Sequence, residues 1–411
     1  MNLAQSIAKK IAFGERKTFS VFIIRIAIGA VALSVAVMLI GISMIHGFQQ
    51  TVKNKFFENW GHLQVINFKE DANNFNDNEI ISLNSALMLK IKSHKNVSSI
   101  NTFLLQGTIA KNADEPEGIL LKGIDNKYDW TVFKKYLKQG SIISFSEKDY
   151  NKEIILSENL LKKLNTKLGN DILLYFLNQN ESTPRIRKVK VVGIYQTGLE
   201  EYDNIIAICD SRMIQQVLSL ASDKIHGYEI HLKEISKLEK SKAEIFENFV
   251  EPPLHVYSIK DRFESIFSWL NMMKANENLL IIIMLIVSIM NMITAILILI
   301  LERTSMIGIL KTLGMKNFSI QKIFIYSSAY IIFWGLLIGN ILGYSICFLQ
   351  YKFGILKLNE SVYYIKKVPI VFEWSTFVFI NSITLISILI LLFIPTIIIK
   401  KISSTKALKL H

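Results

Sequence analysis

The sequence predicts a membrane protein of four transmembrane α-helices in a 1+3 arrangement, with a large extracytoplasmic α+β domain inserted between spans one and two. Three observations predict it. Four apolar runs stand out: Phe19–Ile45, Leu279–Leu301, Ile323–Leu349 and Thr376–Ile399. Each reaches the roughly 20 residues a helix needs to cross about 30 Å of hydrocarbon. Between the first and second runs the chain changes character, and residues 47–270 balance 29 basic against 29 acidic residues. The whole net charge of +13 therefore lies in and around the apolar runs.

Only structures that close their own backbone hydrogen bonds survive in lipid, so the four runs (19–45, 279–301, 323–349, 376–399) read as helices. The first resembles a signal peptide, with Ala30-Val31-Ala32 like a cleavage site, but it stays apolar as far as Ile45. That is too long for a signal core, and an uncleaved span is expected. Ala32 and Ala36 within it make a small-xxx-small step, which reflects either close approach of another helix or the ordinary frequency of alanine in spans. Ahead of it, Leu3, Ile7 and Ile11 recur at spacing four beside Lys9 and Lys10, so residues 1–18 are expected to carry an interfacial helix.

Residues 46–270 are expected to form the domain, with interleaved strands and helices. Strands are expected at 61–68, 100–110, 118–124, 153–156, 171–177, 188–195, 205–209 and 228–232, and helices at 79–95, 157–167, 213–220 and 236–249. Residues 178–187 read as a polar turn, Pro252 and Pro253 break the last helix, and a helical pattern resumes near Ser258. Asn291, at membrane depth in the second run, suits either an interhelical hydrogen bond or a substrate contact.

Excess Lys and Arg mark the cytoplasmic side. Lys9, Lys10, Arg16 and Lys17 precede the first run, Arg303, Lys311, Lys316 and Lys322 lie in the island 302–322, and Lys400, Lys401, Lys406 and Lys409 lie in the tail 400–411. Both termini and the island are thus expected in the cytoplasm, and residues 46–270 and 350–375 outside. Read as a helix, the island places Met306, Ile309, Leu310 and Leu313 on one apolar stripe, with Thr304, Gly308 and Lys311 opposite and Gly314 as C-cap. Such a helix would lie in the interface and offer its polar face to a soluble partner; a solvated loop with a little local helix is the alternative.

The chain contains no Gly-Lys pair, so it lacks the usual phosphate-binding loop, and HExxH, GxSxG and CxxC are absent. Its seven histidines are scattered, which points away from a zinc site, and no cofactor is expected. No case for an enzyme active site emerges. The local neutrality of residues 47–270 also removes the nucleic-acid reading that a net basic charge invites.

Three stretches carry a resemblance: the island from Glu302-Arg303-Thr304 to Gly314, LSENLLKKLNTKLGNDILL at 156–174, and Ser43-Met44-Ile45-His46-Gly47-Phe48 followed by Gly61-His62-Leu63-Gln64-Val65. Together they resemble the type VII ABC permeases, the MacB/FtsX-like superfamily, along the whole chain. The third stretch is similar to the lipoprotein-releasing branch, the LolC/LolE-type membrane subunits. The resemblance implies a bacterial inner-membrane permease subunit driven by a separate cytoplasmic LolD-like ATPase, which would dock on a coupling helix through Glu302, Arg303, Thr304, Gly308, Lys311 and Gly314. It also implies a second permease subunit, identical or paralogous. Lipoproteins would be the substrate, entering from the membrane lipids into a cavity lined by Val37, Ile40, Met44, Met284 and Asn291. A LolA-like periplasmic chaperone would be gripped by the hairpin holding Asn178, Pro184, Arg185 and Arg187, although a plain β-turn fits that segment as well. Two rivals stand beside this reading: a MacB-like mechanotransmission permease for efflux and an FtsX-like regulator of a periplasmic hydrolase.

Overall fold

A computed structural model of the chain describes residues 19–68, 79–112, 115–147, 149–177, 183–359 and 363–392. The expected interfacial helix, Asn178 and the basic tail lie outside them. The packing divides into two units. A helical unit comprises residues up to Gln49, Leu270–Lys357 and those from Lys367 onward; a domain unit comprises Gln50–Trp269 with Leu358–Lys366.

Among the described residues, four helices are long and apolar enough to cross a membrane: α1 (Phe19–Trp60), α9 (Glu264–Glu302), α11 (Asn317–Phe353) and α12 (Trp374–Leu391). In the chain, one precedes the domain and three follow it. α1 runs 15 residues past Ile45, because no proline or helix-breaking pair interrupts Gly47–Trp60. It stops at Gly61, whose φ of +75° is open to glycine at little cost. The core of the helical unit joins Val31, Val35, Met38 and Leu39 of α1 to Met292 and Ile296 of α9 and to Ile331 and Ile332 of α11. Helix α11 approaches α1 through glycines at spacing four. A Cβ on Gly335 would lie 2.7 Å from Val31, on Gly339 2.6 Å from the Ala32 carbonyl oxygen, and on Gly343 3.3 Å from the Ala36 Cα. The small step in the first apolar run is thus a helix-packing surface. Asn340 of α11 and Asn381 of α12 exchange amide hydrogen bonds of 2.7 and 3.1 Å.

The domain unit is built on a mixed ten-stranded sheet. Its strands are β1 (Leu63–Asn67), β3 (Val97–Asn112), β4 (Glu115–Ile124), β5 (Leu137–Gly140), β6 (Glu153–Ser157), β7 (Asp171–Phe176), β8 (Arg185–Tyr195), β9 (Ile206–Asp210), β11 (Gly227–Leu232) and β12 (Leu254–Ser258), while β2 (Ile81–Ser82) and β10 (Lys224–Ile225) form a separate pair. The strand order is β12-β1-β11-β3-β4-β9-β6-β8-β5, with β7 pairing β3 and β8. Pairs β4/β9 and β6/β8 are parallel and the other pairings antiparallel. Helices α2 (Ser85–Lys92), α3 (Trp130–Phe133), α4 (Glu158–Lys163), α5 (Glu200–Asp203), α6 (Ser211–Val217), α7 (Leu238–Phe249) and α8 (Ile259–Arg262) connect them.

The expected alternation of strands and helices is present, with corrections. The expected helix at 79–95 is confined to α2, because Asn84 caps it by accepting the Leu87 N–H and leaves Ile81–Ser82 to pair with β10. Strand β12 was not anticipated. Its five residues follow two prolines and present no long period, yet they pair in register with β1 from Leu63↔Ser258 to Asn67↔Leu254. The loop expected as a plain connection at 350–375 contributes Leu358–Lys366 to the domain unit, where the Lys366 amine donates to Gln196 Oε1 at 3.1 Å.

This unit buries a paired lysine and glutamate. Lys122 Nζ lies 2.7 and 2.9 Å from the two carboxylate oxygens of Glu229, donates to the Asn59 carbonyl at 3.0 Å and sits over the Trp60 ring. Both members of the ion pair are 1% exposed. His62 stacks on Phe57, and its Nδ1 accepts the Leu232 N–H at 3.0 Å. Burial, then the neighbouring His231, pulls its pKa down to about 4.

Candidate functional site

The island builds a short helix, α10 (Thr304–Thr312). Its C-terminus is a Schellman motif: the Gly314 N–H donates to the Lys311 carbonyl, the Met315 N–H to the Leu310 carbonyl, each at 3.0 Å, and Gly314 takes φ +84°. Met315 and Leu310 both pack on the helical unit's core, which supplies the apolar contact of that motif. Thr304 Oγ1 donates to the Leu301 carbonyl at 2.6 Å, knitting the end of α9 to the start of α10.

The facing of α10 differs from the expected stripe. Ile307 and Gly308 are buried, while Ile309 is 50% and Leu313 77% exposed. Gly308, expected on the free polar face, is turned inward. The periodicity scored apolar residues, whereas the packing selects Ile307 with the side-chain-free Gly308 beside it and leaves Ile309 and Leu313 outside. Glu302 is exposed, and Arg303, Thr304 and Lys311 are half-buried.

The expected turn is also shorter than 178–187, because β8 begins at Arg185, opposite Phe176 of β7. Pro184 is exposed immediately before the strand, a place where its missing N–H costs no ladder bond. Arg185 is tied down: its guanidinium donates to the Val217 carbonyl and to Ser219 Oγ, the latter at 2.9 Å. Arg187 is half-buried, pairs in the ladder with Leu174 and donates to the Ile186 carbonyl at 3.0 Å.

Val37, Ile40 and Met44 line one flank of α1, each half-buried. Met284 of α9 packs on the core, and Asn291 of the same helix is half-buried. A neighbouring cluster escaped the sequence reading. His46 of α1 places Nε2 3.1 Å from Glu277 Oε1 of α9 and Nδ1 3.2 Å from Glu373 Oε2 at the N-cap of α12. His46 lies more than 200 positions from either carboxylate, and no spacing rule reaches that far.

Long apolar helices thus accompany a mixed-sheet domain in one chain. Residues 26–245 match the MacB-like periplasmic core domain, and residues 278–406 match the FtsX-like permease C-terminal region. The chain belongs to the family of FtsX-like permeases with a MacB-like periplasmic core domain. It is similar to the lipoprotein-releasing system transmembrane protein LolC of Neisseria meningitidis serogroup B, with 22% identity over 376 residues covering 86% of each chain. It is similar to the lipoprotein-releasing system transmembrane protein LolE of Haemophilus influenzae, with 21% identity over 85% of this chain and 84% of that one. The crystal structure of the periplasmic region of MacB from Actinobacillus actinomycetemcomitans matches with a TM-score of 0.34 and 13% identity, over 50% of this chain and 91% of that one.

Proposed function

We propose that the chain is the permease subunit of an ABC transporter that extracts lipoproteins from the inner membrane and passes them to a periplasmic chaperone. The observation that carries this reading is similarity to lipoprotein-releasing LolC and LolE proteins along more than four fifths of the chain. On this reading α1, α9, α11 and α12 are the spans, the domain unit is periplasmic, and both termini and α10 face the cytoplasm, as the basic residues favour. A second permease subunit completes the transporter.

A separate ATPase supplies the energy. The need is physical: each CH₂ withdrawn from hydrocarbon costs about 0.8 kcal/mol, so a lipid-anchored protein does not leave a bilayer unaided. The ATPase docks on α10, and the exposure of Ile309 and Leu313 supports these two, with Glu302 nearby, as the face it meets. Val37, Ile40, Met44, Met284 and Asn291 flank the path of the acyl chains, and the β7–β8 hairpin, ending at Pro184, meets the chaperone.

Depletion of the chain followed by membrane fractionation tests the reading. Lipoproteins destined for the outer membrane should accumulate in the inner membrane; unchanged sorting sinks it. Leu313→Asp should weaken co-purification of the ATPase by about tenfold while the chain remains folded. The MacB-like core match over residues 26–245 favours a second reading, a mechanotransmission permease for efflux. Under that reading depletion leaves lipoproteins correctly sorted.

A further inference from the structure

The domain unit carries a largely apolar trough made of two adjoining hollows. The first, of 280 Å³, lies among Phe56, Trp60, Leu199, Tyr202 and Phe263. The second, of 250 Å³, lies over the β3–β4 ladder and ends at Leu177. Leu120 and Ile205 line both, so the hollows meet there. Each is close to the lower end of the roughly 300–1,000 Å³ typical of ligand pockets. Joined end to end, they suit an elongated ligand better than a compact one.

Three further features narrow the occupant. The floor of the second hollow is opened by Gly107 and Gly118, where an added Cβ would meet nothing within 4 Å. Gly107 stands opposite Leu120 and Gly118 opposite Ile109, so the missing side chains leave space on one ladder. The polar groups of the walls are occupied, as the Thr108 hydroxyl donates to the Tyr175 carbonyl at 2.8 Å. Glu201 is the one charged side chain among the described lining residues. A carboxylate with no cation beside it in the lining repels a fatty-acid carboxylate or a lipid phosphate and leaves an uncharged chain unaffected.

We infer that this trough holds an uncharged hydrocarbon chain, an acyl chain of the lipid-bearing cargo, outside the spans. The inference rests on the lipoprotein-release reading for the identity of the cargo. The ordered residues Ile205 and Leu177, 46% and 62% exposed, are the apolar surface such a chain would cover.

The test uses the full chain in lipid nanodiscs and a synthetic diacylated lipopeptide with a photoreactive diazirine in one acyl chain. Irradiation should label the segments holding Ile205 and Leu177. An added Cβ at Gly118 meets nothing within 4 Å, so Gly118→Leu should occupy the second hollow and cut that labelling at least fivefold, with circular dichroism unchanged. Excess unlabelled lipopeptide should compete, and the same peptide without acyl chains should not. Absence of label in the domain unit, or label undiminished in Gly118→Leu, overturns the inference. Equal competition by the non-acylated peptide also overturns it, since a protein segment would then be the occupant. Absent labelling in cells whose lipoprotein sorting depends on the chain removes the trough alone. Specific labelling together with normal sorting after depletion removes the release reading and leaves hydrocarbon binding standing.

Discussion

The two units differ in how their helices begin and in the charge they bury. In the domain unit five short helices begin with a side chain that accepts a backbone N–H: Asn84, Asp129, Ser157, Asp210 and Ser258. In the helical unit α10, α11 and α12 begin at Arg303, Lys316 and Glu373 with no such bond among the described residues. The domain unit buries a complete ion pair, while hydroxyls buried without a hydrogen-bond partner occur in both units, Thr166 in the domain unit and Ser288 and Thr384 in the helical unit. A four-residue helix in water has few internal bonds, so its free N–H groups weigh heavily and capping decides whether it forms. A helix of 37 or 39 residues closes nearly all of its backbone internally, and apolar packing does the rest.

That contrast can be broken at four points, in descending order of effect. Lys122→Met strands the Glu229 carboxylate in a sealed site and should cost about 3–5 kcal/mol. Chemical denaturation of the chain in micelles, followed at the domain unit's tryptophans, reads it out. Adding Glu229→Leu should recover most of the loss, and no recovery would mean the ion pair is not the source.

Next comes acid. His62 is neutral in the fold, and its pKa is lowered from 6.5 to about 4. Below pH 6.5 the unfolded chain takes up a proton that the folded chain refuses, so stability is full above that value and is lost as pH falls towards 4. The total is about 3 kcal/mol at 1.36 kcal/mol per decade. His62→Asn keeps an acceptor for the Leu232 N–H and should flatten the melting-temperature profile between pH 6.5 and 5. A profile parallel to that of the parent chain would contradict the assignment.

In the helical unit, Gly339→Leu forces α1 and α11 apart at the Ala32 carbonyl and should cost about 2 kcal/mol. Loss of monodisperse protein on size exclusion would register it. Smallest is Ser157→Ala, which removes the α4 cap, at about 1 kcal/mol. An equal loss on replacing Asn317 at the start of α11 would erase the distinction between the two units.

Much of this was legible in the chain. The four apolar runs, the Gly314 cap and the Ala32/Ala36 step are local signals, and each maps onto a packed feature. The glycines at 335, 339 and 343 carry the same signal in α11 and could have been read from their spacing. The facing of α10 was not legible, because amphipathic scoring ranks residues by polarity and cannot see that packing buries Ile307 and Gly308. Strand β12 and the His46 cluster were hidden for another reason: they exist through partners far away in sequence. The candidate site was therefore readable as a segment but not as a surface.

The glycine row on α11 has a mechanical consequence. Where backbone meets backbone, two helices fit like a key in a slotted shaft. Sliding one along the other would drive Val31 or Leu39 onto a ridge instead of a notch. Axial travel between α1 and α11 is thus blocked, and the pair must turn or tilt as one rod. Any opening of the bundle during a working cycle is then expected away from this seam, for example where α12 meets α11 through the Asn340–Asn381 amide pair.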